Sequence, residues 1–257
     1  MNAKQQLIAC YTIIYRELER MLRISSQVFI PPMISTLLYF LIFGQIIGQR
    51  IGNVYGQSYS TFIAPGLIMM AVITNSYANV STSLFSVRFQ KSIEEQIVSP
   101  MHYSLILLGY TAAGVVRGVL VGCIVYFVAS FFAELDFSQL LLTFLIIIIV
   151  AALFSLAGFC NGILARTFDD VAFIPTFIIS PLTYLGGVFY AITMLSPFWQ
   201  TISYFNPIYY MVNALRQVMI GTHGFDMAFA ITIICLFLGF LTALNIWMLK
   251  KGIGLRD

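Results

Sequence analysis

Six stretches of about twenty or more residues run through this chain with one charged side chain among them, and that pattern dictates the solvent. A hydrocarbon core about 30 Å thick is crossed by about 20 helical residues. Residues 28–48, 61–86, 104–132, 139–164, 171–190 and 227–249 all meet that length. Of the 257 residues, 60% are hydrophobic and 9% charged, which excludes an ordinary soluble domain. The fold class expected is an all-α membrane protein, a single transmembrane domain over residues 1–257. Near the start no short apolar core precedes a small-residue cleavage site, so the first span is expected to act as an uncleaved anchor.

The segments between the spans carry the polarity. Residues 4–26 place Leu7, Tyr11, Ile14 and Leu18 at helical spacing, with Arg16, Glu17, Glu19, Arg20 and Arg23 elsewhere on the surface, the pattern of an amphipathic interfacial helix. Pro31 and Pro32 are expected at the start of span 1, where proline costs least. Between spans 2 and 3, the stretch 87–103 holds Arg88, Lys91, Glu94 and Glu95, while Phe89, Ile93 and Ile97 recur every four residues with Val98 alongside. Such a helix must lay its stripe on a lipid surface, a neighbouring segment or another protein; a solvated interfacial loop is the plainer alternative. Residues 165–170, ARTFDD, form a second compact charged interruption. Residues 191–222 are apolar and aromatic, but Pro197 and Pro207 divide them into pieces too short to cross, so two half-helices dipping into the bilayer are expected.

Charge placement supports six crossings with both termini inside. Lys4, Arg16, Arg20, Arg23, Arg88, Lys91, Arg166, Lys250, Lys251 and Arg256 then lie on the cytoplasmic side, and Arg50 and Arg216 lie outside. A seventh crossing at 191–222 would put the basic C-terminus outside, against the positive-inside rule.

Arg117 is the charge within a span. It is costly there, and it either meets an anionic substrate, locks a dimer, or snorkels and bonds to carbonyls. Gly114, Gly118 and Gly122 around it make two overlapping G-x-x-x-G steps, suited to close helix packing within the chain or between subunits. Asn75, Asn79 and Ser83 form a polar stripe on span 2 that could line a pathway or bond to a neighbouring helix. No phosphate-binding loop, zinc-protease motif or nucleophile elbow occurs, and the two histidines, His102 and His223, lie near span ends. Cys10, Cys123, Cys160 and Cys235 are widely spaced, without disulfide or metal pattern. Neither a catalytic centre, a metal site nor a nucleic-acid partner is expected, and ion coupling is disfavoured because no span carries an acid.

The order of parts resembles the ABC-2 family of ABC transporter permeases. The motifs that carry the match are FIAPGLIMM at 62–70, RFQKSIEEQIVSP at 88–100, FSLAGFCNGILARTFDD at 154–170, PLTYLGGVFY at 181–190 and FNPIYYMVNALRQ at 205–217. The resemblance implies that the Arg88–Pro100 stretch, with Phe89, Lys91, Ile93, Glu94, Glu95, Ile97 and Val98, is a coupling helix seated on a separate ATPase. It further implies that Glu17, Arg20 and Arg23 belong to a connecting helix, and that Arg166, Asp169 and Asp170 make a second contact. Two such chains would assemble with two ATPases in the inner membrane. ATP and magnesium would be held by the ATPases and no cofactor by this chain. Residues 186–210 would resemble a re-entrant extracellular hairpin capping the path. Asn75, Asn79, Arg117, Gly186, Gly187 and Phe189 would border that path or the dimer interface. The function implied is the permease half of an exporter; a membrane scaffold that binds a cytoplasmic protein but moves nothing is the alternative.

Overall fold

Long apolar sequence in a medium without water must satisfy its backbone internally, and here it does so as helix. The computed structural model describes residues 2–92, 101–136, 138–222 and 225–254. In chain order the helices are α1 (Ala3–Arg23), α2 (Ser25–Ile51), α3 (Tyr59–Phe89), α4 (Tyr103–Ala129), α5 (Leu140–Leu164), α6 (Phe168–Leu185), α7 (Pro197–Tyr204), α8 (Pro207–Ile220) and α9 (Met227–Lys251). Among the described residues six helices, α2 to α6 and α9, are long and apolar enough to cross a membrane.

Local chemistry sets where they begin and end. Ser58 accepts from the Thr61 N–H to open α3, and His102 accepts from the Ser104 N–H to open α4. Thr167 and Asp170 exchange side-chain and backbone hydrogen bonds in a capping box at the start of α6. Asn206 caps α8, with Pro207 at its first position, and Asp226 caps α9. Gly221 and Gly252, both left-handed at φ 70° and 67°, end α8 and α9.

Helix α2 departs from expectation. It starts at Ser25, immediately after α1, so Pro31 and Pro32 fall inside it instead of at its start. Its continuation through Phe40–Ile47 is wound more widely than an α-helix, as is Pro175–Ile179 in α6.

The centre of the bundle is α3, the most buried of the six long helices, packed against α4, α5 and α8. Small residues let the backbones approach, because lipid tails are as apolar as leucine and close contact must replace the hydrophobic drive. A Cβ on Gly118 would lie 3.0 Å from both Ala151 and Ser76, and one on Gly122 would lie 2.9 Å from Val72. Gly158 of α5 rests directly on the Tyr77 carbonyl of α3. The G-x-x-x-G steps of α4 thus pack within one chain. Asn245 of α9 donates to the Leu156 carbonyl at 3.0 Å and ties the last helix to α5.

At the end of the bundle opposite α1, the residues after α6 fold over α3. Gly66 lies against Val188, the Tyr59 hydroxyl donates to the Phe189 carbonyl at 2.7 Å, and Asn206 donates to the Leu182 carbonyl. The faces of α2, α6 and α9 remain largely exposed, carrying Ile34, Leu38, Phe173, Phe177, Leu236 and Phe240.

Replacing Gly158 by leucine drives a side chain into backbone that cannot yield, an overpacking cost of about 1–3 kcal/mol or more. The expected outcome in detergent is a drop of about 5 °C or more in apparent melting temperature and aggregation on size exclusion. Gly239→Ala, which meets nothing within 4 Å, should leave both measurements unchanged.

Candidate functional site

Helix α1 turns an unexpected face to the bundle. Cys10, Ile13, Glu17 and Met21 are buried; of the expected apolar stripe, Ile14 and Leu18 pack partly against the core, whereas Leu7 and Tyr11 are 66% and 65% exposed. Glu17 is therefore not a surface residue: it is 2% exposed and holds the most heavily bonded carboxylate described. One of its oxygens accepts from Arg20 Nε and Nη2 at 3.2 and 3.1 Å and from the Ser83 hydroxyl at 2.6 Å. Its other oxygen lies 3.7 Å from Arg16, which also donates to the Tyr110 hydroxyl at 2.9 Å.

The chain of contacts continues inward. Arg20 Nη2 donates to Asn79 Oδ1 at 2.9 Å, and Arg117 Nη1 shares that oxygen at 3.4 Å. Arg117 Nη2 reaches Asn75 Oδ1 at 3.3 Å. Along one stripe of α3, Asn79 thereby receives a guanidinium from α1, Asn75 and Asn79 share another from α4, and Ser83 donates to the Glu17 carboxylate. Desolvated charges need such partners, and removal of one strands the other. A groove of about 350 Å³ between α2 and α3, walled by Gln27, Pro31, Tyr39, Met70, Thr74 and Asn75, opens beside the inner end of this network.

Around the same end lie the other charged positions. Arg88 donates to the Gly162 and Ala165 carbonyls at 2.8 and 3.0 Å, closing the last turn of α5. Phe89 is exposed, its ring 5.4 Å from that of Phe168. Lys91 is exposed with a left-handed backbone, φ 57°. Arg166, Asp169 and Asp170 are exposed, and the Asp170 carboxylate accepts the Arg166 and Thr167 N–H groups. Arg23 pairs with Glu19 at 3.0 Å on the surface. Ile93, Glu94, Glu95, Ile97 and Val98 lie outside the described residues.

The family model described as ABC-2 type transporter matches residues 8–220. The chain belongs to that family. An ABC-2 relative, the inner membrane transport permease YadH of Escherichia coli K12, is 43% identical over 250 residues, 97% of this chain and 98% of its own length. Nodulation protein J of Neorhizobium galegae is 24% identical over 197 residues, covering 76% and 75% of the two chains. That of Rhizobium leguminosarum bv. trifolii is 23% identical over 184 residues, covering 71% and 70%.

Within this ABC-2 chain, the positions singled out in the sequence separate into two groups. Glu17, Arg20, Arg23, Arg88, Phe89, Lys91, Arg166, Asp169 and Asp170 gather at the α1 end, with Asn75, Asn79 and Arg117 just inside it. Gly186, Gly187 and Phe189 sit at the other end, where the Phe189 ring lies 4.8 Å from Phe43 and 5.4 Å from Tyr39 of α2. Among the described residues no cluster of three or more His, Cys, Asp or Glu could hold a metal ion. Sequence reasoning assigned Arg216 only to the outer side of the membrane and missed its burial, at 2% exposed. The available signal was an arginine three residues after Asn213 within an apolar, aromatic helix.

Two substitutions in α1 separate the buried pair from the exposed one. Glu17→Ala strands Arg20 and Ser83 and should cost about 2–4 kcal/mol, a clear loss of thermal stability in detergent. Glu19→Ala removes the surface pair with Arg23 and should change stability by less than about 1 kcal/mol.

Proposed function

We propose that this chain is the permease subunit of an ATP-driven exporter, working as a dimer with two copies of a separate ATPase that binds ATP and magnesium. The observation that carries this reading is the polar network from Glu17 through Arg20 and Asn79 to Arg117. It joins the charged end of the bundle to helices that wall a membrane-level groove, as a chain that converts an outside push into helix movement requires. Family membership and the name of the Escherichia coli relative, a transport permease, support the same assignment.

In this scheme the basic α1 end faces the cytoplasm, as the positive-inside rule favours, and the protein sits in the inner membrane with both termini inside. α1 lies along the interface with Leu7 and Tyr11 toward lipid and Glu17 toward the bundle. The 88–100 stretch, with Glu94 and Glu95 at its centre, and the exposed Arg166, Asp169 and Asp170 rest on the ATPase. ATP-driven closure of two ATPases moves these surfaces, and α1 passes the displacement to α3 and α4 through the shared oxygen of Asn79. The physical content is a two-state dimer whose equilibrium ATP biases by differential contact. Helices α7 and α8 form a re-entrant cap over the far end of the path. The exposed faces of α2, α6 and α9 are covered in part by the second copy and otherwise by lipid.

Tagged chain purified from membranes in mild detergent should bring down an ATPase with measurable ATP hydrolysis. Reversing Glu94 and Glu95 together to lysine should leave insertion intact and lower co-purification or hydrolysis several-fold. Unchanged recovery and activity in the reversed variant would remove the docking role. A chain recovered alone, under conditions that preserve transporter complexes, would favour a membrane scaffold.

A further inference from the structure

At the end of the bundle opposite α1 lies a cavity of about 360 Å³, within the range of small-molecule sites. Its wall combines three aromatic rings, Tyr55, Tyr209 and Phe225, with the polar side chains of Gln57, Asn213 and Arg216. Arg216 is the unusual member. Its guanidinium carbon lies 4.0 Å from the centre of the Phe62 ring, and the side chain donates to the Phe62 carbonyl at 3.3 Å, the Gly187 carbonyl at 2.8 Å and Asn213 Oδ1 at 2.9 Å.

Those three acceptors are neutral, and no carboxylate among the described residues forms an ion pair with Arg216. Two acids at this end of the bundle are engaged elsewhere. Asp136 accepts the Ser138 N–H and hydroxyl, which hold its carboxyl below the usual range, and Asp226 caps α9. A guanidinium has five N–H donors, of which three are used. The cavity wall thus contains a desolvated cation with donor capacity left over and apolar rings alongside, a combination that an anion with a flat apolar body completes.

We propose that this cavity binds a small molecule pairing a phosphate or carboxylate with an apolar, preferably aromatic, body, the anion meeting Arg216 and the body lying between Tyr55, Tyr209 and Phe225. The site is distinct from the α2–α3 groove and does not depend on ATP coupling. A phospholipid headgroup and a free soluble anion offer the same chemistry.

The test is calorimetric titration of the full-length chain with phenyl phosphate, inorganic phosphate and benzyl alcohol. Phenyl phosphate should bind with one site per chain, at least about tenfold more tightly than either fragment, since it alone combines the charge-assisted hydrogen bond with the ring contacts. Thr222→Glu sets a carboxylate on the same wall without touching the three hydrogen bonds of Arg216, and should abolish binding while leaving the melting temperature unchanged. Arg216→Gln should abolish it as well. Absence of binding to the unaltered chain at millimolar phenyl phosphate, or undiminished binding to Thr222→Glu, would overturn the proposal. In nanodiscs, weaker phenyl phosphate binding with phosphatidylglycerol than with phosphatidylcholine assigns the natural anion to a headgroup; equal binding assigns it to a soluble molecule.

Discussion

A carboxylate taken out of water has to be met by protein, and around Glu17 that requirement organises one whole end of the molecule. Arg20 and Ser83 bond it directly, Arg16 lies beside it, and Arg20 in turn occupies the Asn79 oxygen that Arg117 also uses. Three helices that apolar packing alone would leave free to slide are held in one register. In the membrane the alternative to such bonding is an unsatisfied charge, so the arrangement is strongly preferred over near misses. The same logic explains why α1, rich in arginine, docks through Cys10, Ile13 and Met21 around a central acid, with Ile14 and Leu18 at the edge of that contact.

Glycine does for the middle of the bundle what charge does for its end. Close approach at Gly118, Gly122 and Gly158 brings α4 and α5 onto α3 with little room for adjustment, and Asn245 fixes α9 to α5. Movement that preserves these contacts must therefore carry α3, α4 and α5 as a group. The elements with few such constraints are α2 and α6, and both contain widely wound turns.

Much of this was legible beforehand, and the exceptions have physical causes. Span number follows from length and apolarity, which a bilayer reads almost as directly as we do. Arg117 stood out because a charge in a span is rare, and its partners Asn75 and Asn79 were visible as a stripe; what spacing alone could not decide was whether the stripe faced a pathway or a neighbour. Glu17 was hidden by its company, since an acid among five surface charges on an amphipathic helix carries no sign of burial. Arg216 was hidden by the positive-inside bookkeeping, which assigns a charge to a side of the membrane and says nothing of its depth. Pro31 and Pro32 misled about the start of α2 because a proline pair ordinarily marks a helix beginning, whereas here the Gln27 and Val28 N–H groups bond the Ile24 carbonyl and the helix is already formed from Ser25.

That proline pair has a mechanical meaning. Each proline lacks the N–H that would bond the carbonyl four residues earlier, so the rungs at Gln27 and Val28 are missing from α2. Both residues, like the prolines, border the groove between α2 and α3. A rod with two adjacent ties absent flexes there first, and flexing costs no further hydrogen bond. The groove consequently has one wall fixed to the rigid core and one with a built-in point of bending, a single turn from the end of α1.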